Sequence, residues 1–168
     1  MKQFIWITLF LFLIGCAEKS NTIEQVINES QGFQSEDVIE IIEHGDKYAS
    51  ILYKKEDRYG LGLVERKNNS WKWVVGSFSP LDHKQDVTYS YYDLINRYPV
   101  FIGTVNNDRI HKVEVQTNKK TKEVAVQTSA NGFRYWYVFI DEPQGPPNQI
   151  TGYDGDGKIV YLMDERLK

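Results

Sequence analysis

The sequence predicts an α+β domain in which two short N-terminal helices precede a mostly antiparallel, sandwich-like β body of eight or nine strands. Three observations carry this expectation. Hydrophobic spacing is helical between residues 21 and 45 and has a period of two through most of the remaining chain. Aromatic residues make up 14% of the chain and fall in strand-like runs. Short polar stretches of hairpin length separate the alternating runs.

The first segment stands apart from that domain. Lys2, the apolar run from Phe4 to Ile14 broken only by Thr8, and then Gly15 have the layout of an export signal, so residues 1–15 read as a signal peptide. Eleven helical residues at ~1.5 Å each reach only ~17 Å, short of a ~30 Å hydrocarbon core, which argues against a stable membrane span. Cys16, the only cysteine, closes the run.

Leu13-Ile14-Gly15-Cys16 resembles the lipobox of bacterial lipoproteins at all four positions. With its leader and small β-rich body, the chain is similar at class level to the small lipoproteins of Gram-positive bacteria. The resemblance implies a diacylglyceryl group on Cys16 Sγ, cleavage after Gly15, and an extracytoplasmic protein anchored to the cell membrane by lipid. Two acyl chains at ~0.8 kcal/mol per buried methylene suffice for lasting attachment. The resemblance covers the leader and implies nothing about the fold of the rest.

Residues 16–20 then form a short polar tether. Asn21 reads as the N-cap of a first helix, with Glu24 completing a capping box and Ile23, Val26 and Ile27 at helical spacing. Ser35 caps a second helix with the stripe Val38, Ile41 and Ile42, ending at His44 and Gly45. Residues 47–55, 59–67 and 71–78 come next as three strands joined at Glu56-Asp57-Arg58 and Asn68-Asn69-Ser70. One face collects Tyr59, Leu61, Leu63, Trp71, Trp73 and Val75, so a meander with one buried face is expected. Leu81 to Val87 reads as a polar loop, and residues 88–98 fit helix and strand alike.

Six strands are expected after Pro99: residues 100–105, 109–117, 122–128, 133–140, 149–153 and 158–163. The run Tyr135-Trp136-Tyr137-Val138-Phe139-Ile140 is apolar on both faces and therefore calls for a central strand covered on both sides. Residues 21–98 and 99–168 form either one body or two subdomains meeting near Pro99. Trp73 and Trp136 are expected in the core.

Composition narrows function more than it names it. A formal net charge of −3, with no basic cluster longer than Lys54-Lys55 or Lys119-Lys120, argues against nucleic acid. With Cys16 consumed, no thiol is left for a disulfide or a nucleophile. Asp154-Gly155-Asp156-Gly157 resembles the start of an EF-hand loop, with Glu165 at position 12. Lys158 then occupies a ligand position and Ile159 the obligatory glycine, so a tight turn is expected. His44, His83 and His111 lack zinc spacing, and no Gly-x-Ser-x-Gly elbow is present. No metal or cofactor is expected.

Two stretches could serve recognition. One is the loop 141–148, stiffened by Pro143, Pro146 and Pro147; the other is the tyrosine group Tyr89, Tyr91, Tyr92 and Tyr98. The expected function is a lipid-anchored, non-catalytic binding or accessory module of the cell envelope, its partner an envelope protein or glycan. An envelope hydrolase with a dispersed acid/base site, or an inhibitor of another envelope protein, are the alternatives.

Overall fold

The computed structural model describes residues 20–30, 32–143, 145, 147 and 149–164. Among these, twelve strands form three antiparallel sheets of four, with one short helix. The first sheet is the meander β1 (Val38–His44), β2 (Tyr48–Lys55), β3 (Arg58–Lys67) and β4 (Ser70–Pro80). The middle sheet places β5 (Ser90–Leu94) beside β6 (Tyr98–Thr104), then β10 (Arg134–Phe139) and β9 (Gln127–Thr128). The third runs β12 (Ile159–Asp164), β11 (Gln149–Tyr153), β7 (Lys112–Gln116) and β8 (Thr121–Ala125). The β-rich body is as the sequence predicted, but it is built of three layers rather than the two of a sandwich.

The helix α1 (Ile23–Ser30) begins one residue later than expected. Thr22 is its cap: Thr22 Oγ1 accepts the Gln25 N–H at 3.2 Å, while Gln25 Oε1 accepts the Thr22 N–H at 3.1 Å. This reciprocal box is worth ~1 kcal/mol. It leaves the Asn21 side chain to bond elsewhere, and its partner is Trp71 of β4.

The second helix does not form. Ser35–Asp37 makes a single 3-10 turn, and Val38 opens β1. Four of the five side chains from Val38 to Ile42, namely Val38, Ile39, Ile41 and Ile42, are β-branched and stiff at χ1, which favours strand. Pairing with β2 from Val38↔Tyr53 to His44↔Tyr48 then satisfies the backbone.

The turns obey their residues. Asn68 and Asn69 both take positive φ, at 50° and 61°, the primed geometry that joins β3 to β4 without splaying them. At the far end of the chain, Asp154 Oδ1 accepts the N–H groups of Asp156 and Lys158, and Gly157 takes φ of 80°. The expected tight turn is there, and the aspartate side chain is used to close it.

Both faces of the first sheet are covered along β2 and β3, where the sequence suggested one. Tyr48 and Leu52 of β2, with Tyr59, Leu61 and Leu63 of β3, pack toward the middle sheet against Tyr92, Leu94, Val100, Ile102 and Tyr135. On the outer face Ala49, Ile51, Tyr53 and Val64 meet Val26, Ile27 and Phe33. Trp73 belongs to this outer layer and is only half-buried: its ring lies over Gly62 and Gly76, which have no side chains of their own. Its expected place in the core is thus corrected to a lid over a glycine-rich patch.

The middle sheet contains the expected two-sided strand. Tyr135, Tyr137 and Phe139 of β10 join the cluster beneath the first sheet, and Trp136, Val138 and Ile140 join the cluster beneath the third, with Phe101, Ile110, Val113, Val115 and Ile150. Trp136 is fully buried, and truncating such a ring to alanine costs ~3–5 kcal/mol. The boundary suggested near Pro99 falls inside β6, whose pairing with β5 from Ser90↔Ile102 to Leu94↔Tyr98 ties the two halves into one sheet. Among the described residues, no helix is long and apolar enough to cross a membrane.

Candidate functional site: a hydroxyl-lined cleft where three sheets meet

β4, β5 and β12 are edge strands of the three sheets, and they come together on one side of the stack. The cleft between them has a volume of about 400 Å³ and is lined by Tyr59, Ser79, Asp82, Gln85, Tyr89 and Ser90, with Pro80, Thr88 and Met163. Its floor is set by strand register. Tyr59 and Ser79 face one another across the β3–β4 pair. Ser90 and Tyr92 lie two apart on β5, hence on one face.

These four hydroxyls form a chain: Tyr59 Oη to Ser90 Oγ at 3.1 Å, Ser90 Oγ to Ser79 Oγ at 2.6 Å, and Ser79 Oγ to Tyr92 Oη at 2.7 Å. Each hydroxyl brings one proton and two lone pairs, so three links leave a proton and several lone pairs uncommitted. Because the chain can run in either direction, it can offer a donor or an acceptor at the same place. Burial pushes the Tyr92 hydroxyl above its ordinary pKa, as it does that of nearby Tyr53, which donates to the Ser77 carbonyl at 2.9 Å.

The wall is equally fixed. The chain leaves β4 at Pro80, and the Leu81 N–H donates to the Asp57 carbonyl at 2.8 Å. Asp82 then accepts from the Lys84 N–H and from Gln85 Nε2. Asn106 Nδ2 donates to the carbonyls of Asp82 and Gln85 at 2.9 and 2.6 Å. Thr88 returns to the middle sheet through its N–H to Thr104 O and its Oγ1 to both the N–H and the Oγ1 of Thr104. A loop held at so many points gives the cleft a preformed wall.

The sequence-predicted residues are dispersed by comparison. Alternation along the chain sends Tyr92 and Tyr98 toward the first sheet and Tyr89 and Tyr91 toward the third, so the four tyrosines do not share a surface. Tyr89 lines the cleft and Tyr92 ends its hydroxyl chain, whereas Tyr91 packs on Phe101 and Tyr98 stacks on His44 at 4.1 Å. Burial lowers the pKa of His44, whose Nε2 lies 2.8 Å from Ser50 Oγ.

In the other predicted stretch Pro143 is exposed and Pro147 buried, while Pro146 lies outside the described residues, as do Cys16 and Glu165. The start of that loop is tied down by Lys119 on Glu142 at 3.1 Å and by Lys120 on Asp141. Lys120 in turn holds the Asp141 carboxyl below the usual carboxylate range.

Among the described residues, no group of three histidine, aspartate or glutamate side chains is placed to hold a metal. Ser79 and Ser90 bond to other hydroxyls rather than to an imidazole. The site escaped sequence reading because Tyr59, Ser79 and Ser90 are separated by strands of ordinary composition and form no motif. No protein-family model and no curated protein matches the chain.

Proposed function

We propose that the protein is a lipid-anchored binding module of the bacterial cell envelope. In this reading it is tethered outside the membrane through Cys16, and its cleft holds a neutral, hydroxyl-rich ligand, a sugar unit of an envelope glycan. The anchor is supported by the match at Leu13-Ile14-Gly15-Cys16. The single observation that carries the binding function is the hydroxyl chain Tyr59–Ser90–Ser79–Tyr92, whose members Tyr59, Ser90 and Ser79 line the cleft while Tyr92 backs them from the core. A sugar hydroxyl both donates and accepts, and a chain of hydroxyls that can reverse direction answers either role. The half-buried Tyr89 ring adds an apolar plane, and Asp82 and Gln85 add polar groups.

A hydrolase is less well supported. Asp82 is the one acid among the described residues lining the cleft. The carboxyls pulled from their ordinary range, Glu65 and Asp141, are lowered by lysines and lie elsewhere.

Two measurements test the proposal. Labelled palmitate should enter the wild-type chain and not Cys16→Ser; equal labelling would remove the anchor. Soluble oligomers of N-acetylglucosamine, neutral sugars of envelope glycan, titrated calorimetrically into the protein, should release heat that Ser79→Ala and Gln85→Ala each weaken by roughly 3- to 10-fold in affinity, the worth of about one neutral hydrogen bond. Gln85 is exposed, so its variant separates lost binding from lost folding. Unchanged affinity in both variants would discard the cleft as the site.

A further inference from the structure

We propose that the tip of the β3–β4 hairpin is a membrane-docking surface, seated on the anionic headgroups of the bilayer that carries the Cys16 anchor; this rests on the lipid-anchor reading. Chain length makes the first case. Five Cα steps separate Cys16 from Asn21, a reach of at most ~18 Å. Asn21 in turn is locked to β4: its Oδ1 accepts the Trp71 N–H at 2.6 Å and its Nδ2 donates to the Trp71 carbonyl at 2.9 Å. A side-chain amide bonded to both backbone groups of one residue acts as a short extra strand. The hairpin tip is therefore held on the membrane-facing side of a domain whose radius of gyration, for its length, is about 15 Å.

Chemistry makes the second case. Arg66, Lys67 and Lys72 are exposed around the tip, on a chain whose formal net charge is −3. Arg66 lies 6.0 Å from the Trp71 ring centre. Trp71 and Trp73 are both half-buried, and they wall an open cleft of about 480 Å³ between α1 and β4. Tryptophan beside arginine and lysine suits the headgroup layer, where an amphipathic ring and a positive charge are both accommodated. The opposing charges on the packed elements are Glu24 and Glu29 of α1 and Glu65 of β3. Glu29 shares the cleft with Lys72, and Glu65 is engaged by Lys47 at 3.2 Å and by the Tyr48 hydroxyl at 3.0 Å.

Orientation is a consequence. Ser79 stands eight residues along β4 from Trp71, ~27 Å at the rise of a strand. A domain docked by its hairpin tip therefore presents the hydroxyl-lined cleft away from the bilayer, toward the envelope.

The test uses the full lipidated protein, reconstituted into vesicles of phosphatidylcholine alone or mixed with phosphatidylglycerol, with brominated lipids as quenchers of tryptophan fluorescence. Quenching is expected in the phosphatidylglycerol vesicles. It should be reduced in Trp71→Phe, where half-buried Trp73 still reports from the same cleft, and reduced by Lys67→Glu with Lys72→Glu and by added salt. A circular dichroism spectrum and melting temperature matching those of wild type show that each variant is folded. Quenching that is the same in wild type and Trp71→Phe, or indifferent to phosphatidylglycerol, would overturn the docking surface while vesicle flotation still showed the anchor. Failure of flotation and of palmitate labelling together would overturn both.

Discussion

Gly103→Ala should be among the most damaging single-methyl additions to this fold. Gly103 sits in β6 opposite Trp136 of β10. A Cβ at this position would lie 1.9 Å from the Thr88 carbonyl oxygen and 2.6 Å from Trp136 Nε1. The first distance is more than 1 Å inside the ~3.3 Å at which carbon and oxygen ordinarily meet. Neither neighbour can yield cheaply. The Trp136 ring is fully buried, and Thr88 is held to Thr104 by three hydrogen bonds of 2.8 to 3.0 Å.

Overpacking of a tight core costs ~1–3 kcal/mol. Displacing Thr88 enough to break two of its bonds adds ~1 kcal/mol each. The expected loss is ~3–5 kcal/mol, on the order of 10 °C in melting temperature for a domain of this size. Urea unfolding followed by tryptophan fluorescence measures it, with the slope checked for a constant unfolded state. Gly145→Ala is the control: nothing lies within 4 Å of its added methyl, and it should stay within ~0.5 kcal/mol of wild type. A Gly103→Ala protein within ~1 kcal/mol of wild type would show that the β5–β6 junction is not packed as described.

Two further tests address other parts of the fold. Ile95 is a β-branched residue at φ of 55° and is exposed, so Ile95→Asn should raise stability by ~1 kcal/mol; a loss would show that its side chain is used. Stability should hold up to about pH 10, the ordinary tyrosine value, and fall above it. Burial and Glu40 push Tyr135 up to about 12 and raise Tyr137, and burial raises Tyr92, so the unfolded chain releases these protons before the folded one does. Tyr135→Phe should make the alkaline limb shallower, and a melting temperature flat through pH 11 would contradict this account.

Local pattern determined much of this protein. Period-two patterning placed β2, β3 and β11 where they are found and β7 within the longer run expected at residues 109–117, because spacing along a strand depends on nothing distant. The run Tyr135 to Ile140 announced a strand covered on both sides, since six successive apolar side chains cannot all point one way. Asn68-Asn69 announced its turn through the tolerance of asparagine for positive φ.

What the sequence left open depended on partners far away in the chain. Residues 38–44 carry a helical stripe, and pairing with β2 sides with their β-branched side chains to make them a strand. Asn21 looked like a cap because Trp71, fifty residues on, is invisible from where it stands. The tyrosines from 89 to 98 read as one group, yet alternation across a sheet buried on both faces divides them between two cores. The hydroxyl chain required the β3–β4 register to set Tyr59 opposite Ser79 and the stacking of two sheets to bring Ser90 and Tyr92 against them. Periodicity is written in neighbouring residues, whereas a site assembled from three edge strands exists only once long-range pairing has fixed which edges meet.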